Sequence, residues 1–244
     1  MIPKVVYKTA PSLNPTICKL NNELEKINKG WVVKFYDNQA CLDFLINDFQ
    51  NDNVNFKNNV IRAYNILIPG AYKADLWRLC IIYQYGGVYI DATSRFYIPI
   101  NKIFDLNKAF NIALDNPGMG LQISFFGSVK NHPYLRNYIC QIVYHIKINF
   151  YGNSPLCPTG PMCAFWVAKK YGFLKGLNIK VRNNWGTYKM IKTGEIVGKR
   201  KSINHNKAIR KNKVNSYINL WRNKLIYRTI NRFIDKSIKQ ITNK

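Results

Sequence analysis

The chain has little negative charge. Only 12 of its 244 residues are Asp or Glu, against 37 Lys and Arg, which gives a formal net charge of +25. So one-sided a balance predicts attraction to polyanions: nucleic acid, an acidic membrane or a phosphorylated substrate. Part of it is compositional, because the abundance of Lys, Asn and Ile is what AT-rich coding produces. No run of about 18 or more apolar residues occurs, so no membrane-spanning helix is predicted. No basic-apolar-small leader precedes the first predicted strand, and the chain reads as cytoplasmic or membrane-peripheral. No internal repeat is present. The six cysteines, Cys18, Cys41, Cys80, Cys140, Cys157 and Cys163, form no Cys-x-x-Cys pair, and no His stands at zinc spacing from a pair. Most read as small buried hydrophobes in the reduced state, although the count alone leaves a disulfide open.

What the chain does have is apolar mass. Hydrophobic residues make up 47% and aromatics 14%, which describes a folded protein. The length suits one sizeable α/β domain, alone or with a helical appendage.

The most informative stretch is AYKADLWRLCIIYQYGGVYIDATSR, residues 71 to 95. Leu76, Leu79, Cys80 and Tyr83 recur at three- and four-residue steps and predict a helix with one apolar stripe. Gly86 is expected to end that helix in the left-handed conformation, and Gly87 to allow a sharp turn or a close approach. Val88, Tyr89 and Ile90 are strand formers, and Asp91 follows at the strand's C-terminal end. Ligands of open α/β sheets bind at that edge. Asp75 and Arg78 are three apart and share a helix face. Taken alone they would be an ordinary solvated ion pair. Beside Gly-Gly and a strand-end aspartate they become candidate site residues.

These residues resemble glycosyltransferase family 32, the Asp-x-Asp sugar transferases. The family pattern is roughly Ser-Asp-x-x-Arg, a helix, then Gly-Gly-x-Tyr-x-Asp-x-Asp. This chain has Ala74-Asp75-Leu76-Trp77-Arg78, then Gly86-Gly87-Val88-Tyr89-Ile90-Asp91-Ala92-Thr93. IPKVVYKT at 2 to 9 is similar to the family's first strand. NHPYL at 131 to 135 and Thr159-Gly160-Pro161, a helix-start motif, resemble later segments. The second aspartate of the pattern is Thr93 here, and the aromatic that commonly follows the first strand is Ala10.

The resemblance implies a GT-A-like, Rossmann-type open mixed sheet with helices on both faces. It implies a retaining enzyme that moves a hexose from a nucleotide-sugar donor to an acceptor hydroxyl on a glycan, lipid or protein. Asp75 and Arg78 would bind sugar hydroxyls as carboxylate acceptor and guanidinium donor. Asp91 would accept from sugar or ribose hydroxyls and touch a divalent metal, manganese in the family, through water, with Thr93 holding a metal-bound water. Thr9, Ser216, Tyr217 and Trp221 become candidates for the nucleotide and diphosphate. A metal-independent site is the other expectation, with lysines and arginines of residues 199 to 213 closing over the diphosphate.

Along the chain the patterns alternate. Strands are predicted at Val5–Tyr7 and 31–37, with helices at 14–28, 39–49 and 57–68. Pro69-Gly70 breaks the pattern before the key helix. Strands follow at 110–115 and 121–127, around the Asn116-Pro117-Gly118 turn, then helices at 133–149 and 161–171, then short strands over 178–197. Alternation of this kind implies a parallel sheet covered by helices. His132 and His145 read as structural, and His205 as solvated or, less simply, as a site residue. Residues 1–198 are read as the transferase domain, and 199–244 as a basic loop followed by a C-terminal amphipathic helix. Ile218, Trp221, Leu225, Ile226, Ile230, Phe233, Ile234, Ile238 and Ile241 keep helical spacing there. That helix is expected to pack on the domain or to lie on an anionic membrane. Two rivals remain: a catalytically silent sugar- or nucleotide-binding relative, and a nucleic-acid-binding protein suggested by charge alone.

Overall fold

The computed structural model of the chain describes residues 1–50, 54–200 and 216–228. The sheet begins with β1 (Val5–Thr9), β2 (Val32–Tyr36) and β3 (Gly87–Ile90), all parallel, with β1 in the middle. β5 (Phe110–Leu114) and β6 (Leu121–Ser128) form an antiparallel pair, and β6 joins β3 antiparallel. An antiparallel extension follows, made of β7 (Val181–Asn184), β8 (Thr187–Met190), β9 (Ile196–Arg200) and β4 (Ser94–Phe96). The nine-stranded order is β2-β1-β3-β6-β5-β7-β8-β9-β4. The alternation at the start of the chain gives the parallel β2-β1-β3 group, and the antiparallel remainder makes the sheet mixed, as the resemblance implied. β7, β8 and β9 follow one another by short hairpins, which pair antiparallel, and β4 adds to β9 from about 100 residues earlier in the chain.

Helices cover both faces, as the period-2 alternation of the strands requires. On one face Tyr7, Tyr89, Ile112 and Phe126 meet α3 (Val54–Ile66), α4 (Gly70–Tyr85), α6 (Pro133–Lys147) and α7 (Pro161–Lys170). On the other, Val6, Val88, Ile90 and Phe125 meet α1 (Pro15–Ile27) and α5 (Ile100–Ile103). α2 (Asn38–Asp43) continues into a π-helical turn, Phe44–Asp48, inside the single helix expected over 39–49. Asn14 caps α1 by accepting from the Ile17 amide, and Pro15 fits the first turn beyond it.

Four expectations need correction. α4 has no single apolar stripe: Tyr72 and every residue from Asp75 to Tyr83 are buried. It is a central helix packed between the sheet and α6, and little of that stretch is left to water. Gly86 does not adopt the left-handed cap. Its φ of 68° and ψ of −171° send the chain from helix straight into strand. A Cβ there would lie 2.8 Å from the Lys130 amide nitrogen, and one at Gly87 (φ 106°) 2.8 Å from the Val5 carbonyl oxygen. Both positions therefore demand glycine.

The basic segment expected to loop after Gly198 instead carries β9 on to Arg200, held by pairing with β4. Gly198 lets those backbones approach, since a Cβ there would lie 2.5 Å from the Arg95 carbonyl oxygen. The helix expected from Ile218 onward stops early. α8 (Tyr217–Arg222) ends at Asn223, Lys224 takes φ 58°, and Tyr227 bridges Leu67 as extended chain. The rest of that amphipathic pattern, with the membrane contact read from it, lies outside the described residues, as do His205 and most of the 199 to 213 segment. Among the described residues no helix is long and apolar enough to cross a membrane. All six cysteines are free, four of them buried. His132 caps α6 by accepting from the Tyr134 amide, and His145 is buried against the Pro158 carbonyl, both structural placements.

Candidate active site

A cleft of about 720 Å³ opens at the C-terminal edge of β3. Asp75, Arg78, Asp91, Thr93, Gln122, Asn183, Trp185, Arg200 and Tyr217 are among the residues that line it. The expected trio thus meets in one place. α4 presents Asp75 and Arg78 one turn apart, and β3 delivers Asp91 opposite them. The Asp91 amide donates to the Ser124 carbonyl of β6 at 2.7 Å, which fixes the backbone there.

Arg78 ties the two carboxylates together. Its Nη2 lies 3.2 Å from Asp75 Oδ1 and its Nη1 3.3 Å from Asp91 Oδ1. Its Nε donates to the Ala74 carbonyl at 3.1 Å, and Nη1 donates to the Ile123 carbonyl at 2.8 Å. The guanidinium also stacks 4.4 Å from the centre of the Tyr89 ring. A guanidinium has five N–H donors. Two hydrogen bonds to backbone carbonyls and two ion pairs hold Arg78 in place between the carboxylates.

Asp75 is buried and accepts from the Thr159 hydroxyl at 2.7 Å. Burial pushes its pKa up to about 6, against the opposing pull of Arg78 and the Thr159 hydroxyl. Asp91 is more open. Its Oδ1 accepts from the Tyr89 hydroxyl at 2.9 Å, and its Oδ2 from Arg200 Nη2 at 3.0 Å. Asp91 in turn raises the Arg200 pKa. Next to this cluster Asp115 accepts from Gln122 at 3.1 Å and Asn183 at 2.7 Å, completing a polar floor.

The remaining candidates scatter. Thr93 and Tyr217 line the cleft, and the Tyr217 ring sits 5.9 Å from that of Tyr72. Ser216 caps α8 by accepting from the Asn219 amide. Trp221 donates to the Tyr151 carbonyl at 2.8 Å, and the Thr9 hydroxyl meets Cys41 Sγ at 3.1 Å. These three are not among the cleft-lining residues.

Arg200 belongs to the basic 199 to 213 segment expected near the diphosphate, but its contact with Asp91 was not foreseen, and sequence reasoning gave Thr159 and Lys8 no site role. Thr159 sits in the Thr-Gly-Pro motif noted as a helix start. Lys8 occupies the Val6 face of β1, fully buried, and its ammonium has no hydrogen-bond partner among the described residues. Burial lowers its pKa to about 8, with Asp91 pulling the other way.

The donor set does not fit the divalent metal implied by the family resemblance. A hard cation takes several oxygens, preferably carboxylate. Asp91 Oδ1 accepts from Tyr89 and is ion-paired with Arg78, and its Oδ2 accepts from Arg200. The next carboxylate of the pattern is replaced by Thr93. No group of three or more His, Cys, Asp or Glu suited to a metal occurs among the described residues.

Comparison with known proteins defines the class. Residues 14–110 match the family described as glycosyltransferase sugar-binding region containing DXD motif. The match takes in Asp75, Arg78, Asp91 and Thr93. Two solved structures share the fold. One is "PaToxG Glycosyltransferase", at TM-score 0.53 and 15% identity, covering 72% of this chain and 71% of that one. The other is the ligand-free glycosyltransferase domain from the YGT toxin, at TM-score 0.53 and 10% identity, covering 73% and 80%. No curated protein matches the chain. The chain therefore has the fold of glycosyltransferase domains, with helices on both sides of a mixed sheet, and its residues 14–110 are similar to the sugar-binding region of that family.

Proposed function

We propose that the protein is a glycosyltransferase that moves a hexose from a nucleotide-sugar to an acceptor hydroxyl with retention of configuration. One observation carries the reading: Asp75, Arg78 and Asp91 converge on a single cleft at the sheet edge, inside the stretch that matches the sugar-binding family.

The chemistry follows from that arrangement. Carboxylates grip sugar hydroxyls because each oxygen can accept a hydroxyl proton. Above about pH 6 Asp75 is ionised and can take that role beside Asp91. Arg78 sets the spacing of the two acceptors and presents its guanidinium to the sugar. The acceptor oxygen bonds to the anomeric carbon as the bond from that carbon to the phosphate oxygen breaks. The electron pair leaves with the nucleoside diphosphate, and the acceptor's hydroxyl proton passes to the departing phosphate. Holding donor and acceptor in this geometry is where such a site gains rate. Manganese has no place in this reading, given the donors around Asp91. A cytoplasmic, membrane-peripheral location belongs to the same proposal; it rests on the +25 charge and is checked by cell fractionation.

The test is a panel of nucleotide-sugars incubated with the pure full chain, reading thermal shift and release of nucleoside diphosphate. One member should raise the melting temperature and be turned over. If no nucleotide-sugar binds, the reading fails. Binding without turnover in the presence of any acceptor extract would favour the silent relative.

A further inference from the structure

We propose that Arg200 stands in for the divalent cation, so that a protein guanidinium, without a metal, neutralises the donor's diphosphate. This inference rests on the glycosyltransferase reading and names the leaving-group device of the same site.

The argument begins with where β9 ends. Its pairing with β4 sets Arg200 opposite Ser94, one residue past Thr93. The side chain thereby reaches the cleft at the point where the family pattern has its second aspartate. There it forms an ion pair with Asp91 Oδ2 at 3.0 Å. A threonine at 93 removes the negative charge that would otherwise hold a cation, and an arginine from a distant strand supplies the positive charge directly. The arginine's charge offsets the loss of the metal-binding carboxylate.

Arg200 is free to serve. Its side chain is 52% exposed, against 7% for Arg78. The only carboxylate it pairs with among the described residues is Asp91; it also bonds the Tyr188 side chain, and the half-exposed guanidinium lines the cleft. A planar guanidinium matches phosphate oxygens in pairs, and it can keep Asp91 with one nitrogen while giving the others to the ligand. A metal at Asp91 Oδ2 would have to displace this guanidinium and then sit a few ångströms from it. The buried, unpartnered Lys8 ammonium adds a second positive charge acting on Asp91. Positive groups already surround the carboxylate that a metal would need.

Isothermal titration of UDP, GDP and inorganic pyrophosphate into the full chain decides the matter, run once in EDTA and once with manganese. At least one nucleoside diphosphate should bind in EDTA, and manganese should change its affinity by no more than about twofold. Arg200→Ala should weaken that metal-free binding by roughly tenfold or more, with Arg200→Lys recovering part of it. The double variant Thr93→Asp, Arg200→Ala should bind only when manganese is present. Binding of the natural chain that appears only with manganese overturns the proposal and leaves the glycosyltransferase reading standing. Unchanged metal-free affinity in Arg200→Ala also overturns it. Absence of binding under both conditions overturns the glycosyltransferase reading as well. The natural-chain arms decide even if a variant does not fold.

Discussion

Two arginines hold the same aspartate from opposite sides, and they belong to different kinds of structure. Arg78 comes from the buried α4–β3 unit, 13 residues before Asp91, and is enclosed by backbone carbonyls, an aromatic ring and a second carboxylate. Arg200 comes from the antiparallel extension, 109 residues after Asp91, and stands half in solvent. The first arrangement is permanent architecture. The second is an exposed contact that a ligand can enter. A single carboxylate thus joins a rigid scaffold to an adaptable charge.

Substitutions can break this contrast. Arg78→Ala removes the partner of two carboxylates in a desolvated site, and should cost about 3–5 kcal/mol of stability in urea unfolding. A loss under about 1 kcal/mol would mean that Arg78 is no more structural than a surface arginine. Asp91→Asn should cut transfer by roughly a hundredfold or more, while circular dichroism shows a retained fold. Full activity in that variant would end the assignment of Asp91.

The pH profile sharpens the contrast further. Burial raises the Asp75 pKa to about 6, so the ionised acceptor, and with it turnover, should fall as pH drops through 6. The limb should steepen to about tenfold per pH unit and vanish in Asp75→Asn. The linked stability effect has the opposite direction. The folded chain holds this proton more tightly than the unfolded one, so the Asp75 contribution to stability declines as pH rises from about 4 to about 6. The smallest effect is expected at Arg200→Ala, which should change stability by about 1 kcal/mol or less, because exposed pairs contribute little. A loss comparable to that of Arg78→Ala would erase the distinction between the two arginines.

The same division explains what could be read from the sequence. The α4–β3 unit was legible because its signals are local. Gly86-Gly87 punctuates helix and strand, and all three site residues fall within 17 positions of one another. Most other helices and strands were legible to within a few residues for the same reason. Arg200 was legible only as one of the cations of residues 199 to 213; its place at the end of β9 beside Asp91 was not, because it looks like the start of a basic loop until β4 is known to pair with β9. β4 itself is three residues with an exposed arginine in the middle, too short for a period-2 signal. Thr159 meets Asp75 across 84 positions, a contact that no spacing rule anticipates. Lys8 was hidden by its type, since a lysine in a strand is expected to reach solvent. The break of the C-terminal helix at Lys224 was equally invisible: the apolar spacing runs on, while the bridge from Tyr227 to Leu67 draws the chain into extended form.

Gly198 carries an unexpected responsibility. A single methyl group there would meet the Arg95 carbonyl oxygen, the Phe96 ring and the Tyr188 ring all at once, prying β9 off β4. Arg200 lies two residues further along the same strand, so the displaced backbone would withdraw its guanidinium from Asp91. A substitution that adds no charge and touches no ligand would then mimic deletion of an arginine. The reach of the site's outer cation is set, in effect, by one carbon atom that is not there.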